Sequence, residues 1–367
     1  MEDSVSIIGA GTAGLVLAKK LGGSGIEASV YDQKPVLGIP VRASGILSLT
    51  GLGTLGMDYS RCETNTLYGA NIHSGGRTMR IVSKQPVAKV LDRKKLNDSF
   101  HDQAVAAGAR VFTGKRISGT ELDTLSGRGV VVGADGAISS VAKHFGLGEI
   151  NKLSLTYKAE FRVDAPDSRM VDLFFDKLRY AGLFAWLCPN APDLLEVGIG
   201  VDSKSGNAKE AFDHFIRTKD VSDIIGSRKP VTQGASVIPM SLRSRMVDEK
   251  RRVLLVGDAA GHVKPTTGGG IVFGGGGAVM AADIIGRYLN GTAKLGDYEA
   301  GFRKRYGMDL KLHAVINKFY SSLGPTAMGR VITALNFLGA DRFLGTYGDM
   351  DRPSLILKRF FLRGLAR

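Results

Sequence analysis

The chain has 367 residues, of which 44% are hydrophobic and 23% charged, a composition that excludes a disordered chain and is typical of a globular protein. Its two cysteines stand far apart, which excludes a disulfide scaffold, a zinc site and a four-cysteine iron–sulfur cluster and favours a reducing cytoplasm. The formal net charge of +14 is compatible with a solvated basic surface, an anionic ligand or an anionic membrane surface. Nucleic acid is disfavoured, because no basic run is interleaved with aromatic residues.

The chain opens on a strand, a glycine-rich turn and a helix. The apolar run Val5–Ile8 predicts a buried parallel strand, a helix follows to about residue 21, and a second strand over residues 27–31 ends at Asp32. The turn has the G-x-G-x-x-G spacing, which lets a pyrophosphate approach the backbone at a helix N-terminus, while the later acid accepts hydrogen bonds from a ribose. The pattern predicts dinucleotide binding by Gly9, Gly11, Thr12, Ala13, Gly14 and Asp32.

The next part of the chain mixes a loop with short strands and one capped helix. Residues 34–60 show little periodicity and predict a loop that covers the ligand. Short antiparallel strands are predicted over residues 67–73, 78–82 and 87–90. Asp92 then caps a helix over residues 93–107, which ends at Gly108, and strands follow at 109–112 and 129–133.

From about residue 152 the pattern changes to alternating strands. They are predicted at 155–163, 171–175, 183–187 and 195–201, with a helix over 207–218. A fully apolar strand returns at 252–256, followed by helices over 270–289 and 297–321 and by two more helical stretches in the last 40 residues.

The predicted fold class is α/β, in the sense of an α+β composite. A Rossmann-like dinucleotide-binding domain with a parallel sheet is discontinuous, over residues 1–64, 91–150 and 250–295. An inserted antiparallel substrate domain covers residues 65–90 and 151–249, and a helical region covers residues 296–367.

Three further motifs lie where ligands bind in open α/β sheets. They are Asp92-Arg93, the GADG turn at residues 133–136 with Ser139, and the GDAAG…P…GGGI run that starts at Gly257. In this order the motifs resemble FAD-dependent oxidoreductases with the para-hydroxybenzoate hydroxylase fold, and within them the geranylgeranyl reductase family, over roughly residues 3–310.

Two family boxes are altered. The Y-x-W-x-F-P box resembles Phe184-Ala185-Trp186-Leu187-Cys188-Pro189, and the P-V-R-C loop resembles Pro40-Val41-Arg42-Ala43, without its cysteine. No redox or gating role of that cysteine is therefore carried over.

The resemblance implies FAD as the cofactor and assigns roles residue by residue. The glycine-rich turn holds the pyrophosphate, and the GGGI amides meet the N1–C2=O side of the isoalloxazine, where reduced flavin carries negative charge. Beyond the first motif, the implied FAD-binding residues are Arg42, Arg93, Asp135, Gly257, Asp258, Pro265, Gly268, Gly269, Gly270 and Ile271. Phe184, Trp186 and Pro189 are implied to line the substrate pocket, and no catalytic residue or metal ligand is assigned.

Each signal also has a plainer interpretation. Asp92-Arg93 is also explained by a helix cap with a surface cation, and the GADG turn by the end of a strand. Trp186 is as often core as pocket. His262 is more typical of a satisfied loop histidine than of a catalytic one, and the two cysteines are predicted to be inert buried thiols.

Three functions remain open on these motifs. The first is an ene-reductase, which transfers hydride from flavin N5 to a C=C bond of an isoprenoid lipid. The second is an aromatic hydroxylase or halogenase; the halogenase W-x-W-x-I-P box has Phe184 in place of its first tryptophan here, and no matching lysine lies near Gly14. The third is a flavin carrier without catalytic activity. The electron donor is left as NADPH, ferredoxin or a deazaflavin.

The expected location is the cytoplasm, with no signal peptide and no membrane span. Residues 354–367 combine bulky apolar and basic residues, which predicts either peripheral contact with the inner face of the membrane or a helix that packs on the body of the protein. As a helix this segment groups Leu355, Phe361, Leu362 and Leu365 on one side and places Lys358, Arg359, Arg363 and Arg367 elsewhere.

Overall fold

The computed structural model describes residues 5–41 and 43–364. The strands are β1 Val5–Ile8, β2 Ala28–Tyr31, β3 Ile46–Ser48, β4 Glu63–Leu67, β5 Gly69–Ser74, β6 Arg77–Val82, β7 Ala88–Leu91, β8 Arg110–Phe112, β9 Val130–Gly133, β10 Leu153–Phe161, β11 Met170–Phe174, β12 Gly182–Ala191, β13 Leu194–Asp202, β14 Thr232–Pro239, β15 Val247–Asp248 and β16 Val253–Leu255. The helices are α1 Thr12–Gly22, α2 Leu49–Leu52, α3 Arg93–Ala106, α4 Gly119–Arg128, α5 Ser140–His144, α6 Ala208–Phe215, α7 Lys219–Ile225, α8 Ile271–Leu289, α9 Gly296–Ser322, α10 Pro325–Phe337, α11 Ala340–Tyr347 and α12 Pro353–Gly364, with 3-10 turns at Ser60–Cys62 and Gly257–Ala260.

The strands of the glycine-rich half form one parallel sheet. Its order is β15-β16-β9-β1-β2-β8, and every pair from β16 to β8 is parallel. The sheet is buried because its strands are near-continuous apolar runs: all four residues of β1 and of β9 are inaccessible to solvent or nearly so. The predicted parallel sheet, including the return of the chain at β16, is confirmed.

A second sheet has seven strands in the order β14-β10-β13-β12-β11-β5-β6, all antiparallel except the β11–β5 pair. A third sheet has three strands in the order β3-β7-β4. The strands predicted between residues 65 and 90 therefore divide between two sheets. The predicted strand at 67–73 is interrupted at Tyr68, since β4 ends before it and β5 begins after it.

Several elements differ from the sequence-based expectation. The predicted loop over 34–60 contains β3 and α2, and β14, α4 and α7 were not predicted. The last 40 residues contribute to three helices rather than two. Strand β14 was missed because its burial is irregular and its sequence, TQGASVIP, begins with polar residues. The predicted domain boundaries stay a prediction.

Glycines let the N-terminal half pack closely. A Cβ built on Gly14 lies 2.0 Å from the carbonyl oxygen of Gly9, and one on Gly274 of α8 lies 3.0 Å from Cα of Gly257. Only residues without a side chain allow these backbones to approach so closely. Helices α1 and α8 thus pack together beside β1, and the N-terminus of each lies near the carboxyl ends of the parallel strands.

Candidate flavin and substrate site

The glycine-rich turn forms an open cradle above tight backbone packing. Gly9 has φ of +110°, and a Cβ built there lies 2.3 Å from the carbonyl oxygen of Ala134. Gly11, the N-cap of α1, is different: among the described residues, no atom lies within 4 Å of a Cβ built on it. The space beside Gly11, at a helix N-terminus, fits a pyrophosphate.

Asp32 follows β2 and is held by two backbone amides. Its Oδ2 accepts from the amide of Ala10 (2.8 Å) and its Oδ1 from the amide of Lys34 (2.8 Å). These bonds fix the carboxylate beside the glycine-rich turn and leave lone pairs for further donors. The position agrees with the predicted contact to a ribose, which stays a prediction.

Arg93 and Asn97 lie one turn apart on α3 and have buried polar atoms without partners among the described residues. Arg93 Nη2 donates to Thr12 Oγ1 (3.4 Å), but Nη1 has no acceptor, and Oδ1 of Asn97 has no donor. Burial lowers the pKa of Arg93 to about 10, opposed by the charge of Asp258. An orphaned guanidinium N–H beside the turn fits an anionic phosphate chain, because buried polar groups are normally paired.

Asp92 does not contact this space. Its side chain accepts from the amides of Lys94 (2.9 Å) and Lys95 (3.0 Å), so it is the N-cap of α3, which was the plainer interpretation of the motif. The cap places Arg93 at the first helical position, from which its side chain reaches Thr12.

Asp258 follows β16 and lies against the start of α8. A Cβ built on Gly270 would be 2.9 Å from Asp258 Oδ1. Burial raises the pKa of Asp258 to about 6, against the opposing charge of Arg93. A carboxyl group in this environment gains from hydroxyl donors, which fits the predicted contact with the ribityl chain or pyrophosphate.

The carboxylate of Asp135 makes hydrogen bonds to residues that follow it closely in the chain. Its carboxylate accepts from Ser139 Oγ (2.6 Å), Ser140 Oγ (2.8 Å) and the amides of Ser140 (2.7 Å) and Val141 (3.1 Å). These bonds cap α5, which favours the plainer interpretation of the side chain, although the neighbouring Ala134 backbone lines the turn. Direct contact of Asp135 with FAD stays a prediction.

The Gly-rich loop before α8 is closed by its own backbone. The amide of Lys264 donates to the carbonyl of Gly269 (3.1 Å), and that of Gly268, whose φ is +72°, donates to the carbonyl of Lys264 (3.0 Å). The amide of Gly268 is therefore engaged within the loop. Gly269, Gly270 and Ile271, at the start of α8, keep their predicted amide contacts with the flavin as a prediction, as does Pro265, which is buried.

The strands of the seven-stranded sheet direct their side chains to two faces. On β12, Ala185 and Leu187 pack with α6 and α7, whereas Phe184, Trp186 and Cys188 belong to a separate cluster with β4 and β7. We call this second surface the inner face. It meets the Gly-rich loop at Ile238, whose Cδ1 is 2.9 Å from a Cβ built on Gly268.

Phe184 and Trp186 thus lie on the inner face, where both are largely buried, at 5% and 9% exposure. The indole lies flat over Gly198, because a Cβ there would meet Trp186 Cζ2 at 2.1 Å. Pro189 is buried in the same strand, and its carbonyl accepts from Asn65 Nδ2 (2.7 Å). Their role in lining a substrate pocket stays a prediction.

The inner face also holds a buried ion pair that was not predicted. Lys158 Nζ lies 2.6 Å from Glu196 Oε2, with side chains 5% and 0% exposed. Trp186 Nε1 (2.8 Å) and Ser44 Oγ both donate to Glu196 Oε1, and Lys158 also donates to the carbonyl of Ala43 (3.1 Å). The network ties the altered P-V-R-A loop to the sheet.

Glu196 stays ionised in this setting. Burial by itself raises the pKa of its carboxyl, but Lys158 and the hydrogen bonds from Ser44 and Trp186 hold that pKa below its ordinary value. Arg42, the remaining predicted residue of the loop, lies outside the described residues.

His262 and the cysteines are core residues. The imidazole of His262 stacks on Phe302 at 3.7 Å between centroids, and burial lowers its pKa to about 3, so the ring is neutral at pH 7. Cys62 and Cys188 are free and buried, and burial raises the pKa of both thiols. The prediction that both thiols are buried is confirmed, their inertness stays a prediction, and acid–base chemistry by His262 is disfavoured.

Sequence reasoning missed four residues at this site: Asn97, Lys158, Glu196 and Lys264. Asn97 follows Arg93 at i+4 on the same helix, a signal that was readable. Lys158 and Glu196 are 38 positions apart in sequence and meet only through the register of β10 and β13.

Comparison with known proteins decides the family. The sequence profile of the FAD binding domain family matches residues 2–300. The chain belongs to this family. This flavoprotein is therefore an FAD-dependent oxidoreductase, as the sequence predicted.

Its relatives include digeranylgeranylglycerophospholipid reductase 1 of Methanothermobacter thermautotrophicus, which is 26% identical over 91% of this chain and 90% of its own. A geranylgeranyl bacteriochlorophyll reductase-like structure from Thermoplasma acidophilum superposes with a TM-score of 0.81 at 20% identity, over 97% of this chain and 95% of that chain. The flavin-dependent brominase Bmp2 superposes with a TM-score of 0.71 at 14% identity, over 99% of each chain. The similarity of the flavoprotein to geranylgeranyl reductases is confirmed.

Proposed function

We propose that this flavoprotein saturates C=C bonds in the geranylgeranyl chains of archaeal-type membrane lipids. The observation that supports this proposal most strongly is the similarity of the chain to a digeranylgeranylglycerophospholipid reductase along 91% of its length. The inner face supports the proposal, since Phe184, Trp186 and Cys188 form an apolar cluster beside the buried Lys158–Glu196 pair, and this face meets the Gly-rich loop at Ile238. An apolar surface suits a prenyl chain better than a charged substrate.

Bound FAD, once reduced, supplies hydride from N5 to one carbon of the double bond. The residues of this chain bind the FAD and orient the substrate. The turn at Gly11 and the buried N–H of Arg93 would hold the phosphates of FAD, and the amides of Gly269, Gly270 and Ile271 would stabilise the negative charge of the reduced ring. The inner face excludes water from the reacting bond, and the proton for the second carbon comes from solvent or a side chain not assigned.

The decisive experiment is an anaerobic reduction assay. The protein is loaded with FAD, reduced with dithionite and incubated with a digeranylgeranyl glycerophospholipid in detergent. We expect products that have gained two hydrogens for each bond reduced, measured by mass spectrometry. Dithionite removes the question of the natural donor, after which NADPH, reduced ferredoxin and a reduced deazaflavin are compared. The proposal would be contradicted if the lipid stays intact while the reduced flavin is reoxidised by another electron acceptor.

An aromatic hydroxylase or halogenase is the second candidate, because the brominase shares the fold over the whole chain. A fold match at 14% identity does not carry an activity. Oxygen uptake with NADPH and an aromatic substrate, without prenyl reduction, would favour this alternative. Neither activity in a protein that binds FAD would favour a flavin carrier.

We also propose that the protein meets its lipid at the membrane surface through α9. No helix in the part of the chain that the structure describes is long and apolar enough to span a bilayer. The exposed side of α9 combines basic and large apolar residues, with spacings of three or four from Lys304 to Lys318: Lys304, Met308, Lys311, Val315 and Lys318, followed by Phe319. Such a mixture suits an interface with anionic lipid.

Helix α12, the segment that the sequence offered as a candidate for this contact, is a weaker candidate than α9. Leu355 is half-buried and lines a cavity against Tyr306 and Asp309 of α9, so it does not belong to an exposed apolar side. Among the side chains of α12 that the structure describes, the exposed apolar ones are Leu357, Phe360 and Leu362, and those of Phe361 and Arg363 are outside that description. Leu365 and Arg367 lie outside the described residues.

A further inference from the structure

A buried cluster of charged and polar side chains joins the Gly-rich loop to the segment before α12. Lys264 Nζ lies 2.5 Å from Asp351 Oδ1, and the two side chains are only 8% and 5% exposed. Ser48 donates to the other carboxylate oxygen of Asp351, and Lys264 also donates to the carbonyl of Met350 (3.2 Å). The C-terminal segment is thus fastened directly to the loop.

Lys264 belongs to the loop in a second way. Its backbone closes the loop by hydrogen bonds to Gly268 and Gly269. Its side chain covers Gly269: a Cβ built on this glycine would be 2.7 Å from Lys264 Cε and 3.6 Å from Nζ. The ammonium group therefore lies beside the backbone whose amides face the flavin.

The Lys264–Asp351 pair has no net charge, and the histidine next to it is neutral. Burial, reinforced by Lys264, lowers the pKa of His313 to about 4, so the imidazole that contacts the Asp351 carbonyl (3.2 Å) is uncharged at pH 7. Burial alone raises the pKa of Asp351, but Lys264 and Ser48 hold it below its ordinary value. An ionised lysine and an ionised aspartate thus cancel each other next to the loop.

We propose that Asp351 is a positioning residue that sets the reduction potential of the bound flavin by neutralising Lys264 at the Gly-rich loop. The proposal rests on the proposed placement of the isoalloxazine at Gly269–Gly270. Reduced flavin carries negative charge at N1, so a cation left unpaired at this loop stabilises the reduced form, and an unpaired anion stabilises the oxidised form.

The test compares Asp351→Asn, Lys264→Met and the double variant, each with FAD at pH 7. Asp351→Asn is expected to raise the affinity for reduced over oxidised FAD about tenfold, which for a two-electron couple is a rise of about 30 mV. Lys264→Met is expected to shift the ratio about as far in the opposite direction. The double variant, which has no unpaired charge, should return close to the wild-type potential.

Asp176→Asn is the matched control, because Asp176 is also buried and paired, with Arg179 at 2.7 Å, but lies outside the loop. Titration of apoprotein with oxidised and with dithionite-reduced FAD gives the same ratio for variants that lose flavin during purification. Shifts of both single variants in one direction, equal loss of both forms of FAD, or shifts no larger than in Asp176→Asn would overturn the proposal.

Failure here is distinguishable from failure of the proposed function. Prenyl reduction by the wild type with unshifted potentials in the variants would remove only the role of Asp351. Opposite shifts without any prenyl reduction would keep that role and remove the substrate.

Discussion

At the scale of single residues, the predicted site is best supported where an atom lacks a partner. The glycine spacing alone predicted the turn, and the structure adds the open space beside Gly11 and the buried N–H of Arg93. Asn97 adds a third group without a partner among the described residues. The role of a single residue was harder to predict where its side chain also hydrogen-bonds the local backbone, as for Asp135, whose carboxylate accepts from an amide at the start of a helix.

The open space at Gly11 leads to a test of cofactor placement. Gly11→Asn adds a side chain where the pyrophosphate is expected but keeps a favoured helix N-cap, so the apoprotein should retain its thermal unfolding temperature. We expect FAD affinity to fall at least about tenfold, or about 1.4 kcal/mol, in a fluorescence titration.

Gly14→Ala is the contrasting variant. Its Cβ would lie 2.0 Å from the Gly9 carbonyl oxygen, so this change should lower the stability of the apoprotein itself. Unchanged FAD affinity in Gly11→Asn would show that the phosphates bind elsewhere.

His262 provides a prediction on pH. Its pKa is about 3 in the folded protein and about 6.5 when unfolded, so the unfolded chain takes up a proton first as the pH falls. Stability from the neutral ring is complete above pH 6.5 and is lost as the pH drops towards 3. Between pH 7 and pH 5 the loss is about 2 kcal/mol.

His262→Leu should therefore lose about 2 kcal/mol less than wild type between the same two pH values, measured by urea unfolding. Leucine suits the site because the ring packs on Phe302 and its Nδ1 has no partner among the described residues. Equal losses in the two proteins would mean that the imidazole is protonated in the folded state.

At the scale of elements, periodicity predicted which residues share a face but not what covers that face. Phe184 and Trp186 alternate with Ala185 and Leu187 along β12, as expected for a strand. That the aromatic pair faces the Gly-rich loop follows from the contact between Ile238 and Gly268, which joins the missed strand β14 to the start of α8. Long-range contacts of this kind leave no pattern in a local window.

The buried ion pairs show the same limit at a longer range. Lys264 and Asp351 stand 87 positions apart, and no charge pattern within either segment indicates the other. The sequence showed the Gly-rich loop and a helical C-terminal region, but only the packing of that region back onto the loop reveals that the two act together.

At the scale of the whole molecule, the net charge of +14 can be related to one surface, the exposed side of α9. Lysines line the exposed side of α9, among apolar residues that would otherwise be costly to leave in water. A lipid substrate with long prenyl chains must be met at a membrane or be shielded completely. In our proposal the surface of α9 makes this contact with the membrane, and no helix among the described residues is long and apolar enough to span it.

The membrane proposal is tested by co-sedimentation with vesicles. We expect the protein to sediment with anionic liposomes at low salt, to be released at high salt and not to bind neutral liposomes. The reason is that each lysine near the surface contributes about 1 kcal/mol at most, and salt screens this electrostatic contribution. Phe319→Glu should abolish sedimentation without altering FAD content, whereas Val105→Glu, at an exposed apolar residue of α3, should have no effect. Truncation after Arg352 keeps Asp351 and should weaken binding less than Phe319→Glu does. Equal binding of the Phe319→Glu variant and wild type would assign the contact to another surface, because a carboxylate on the α9 face repels the same lipid that its lysines attract.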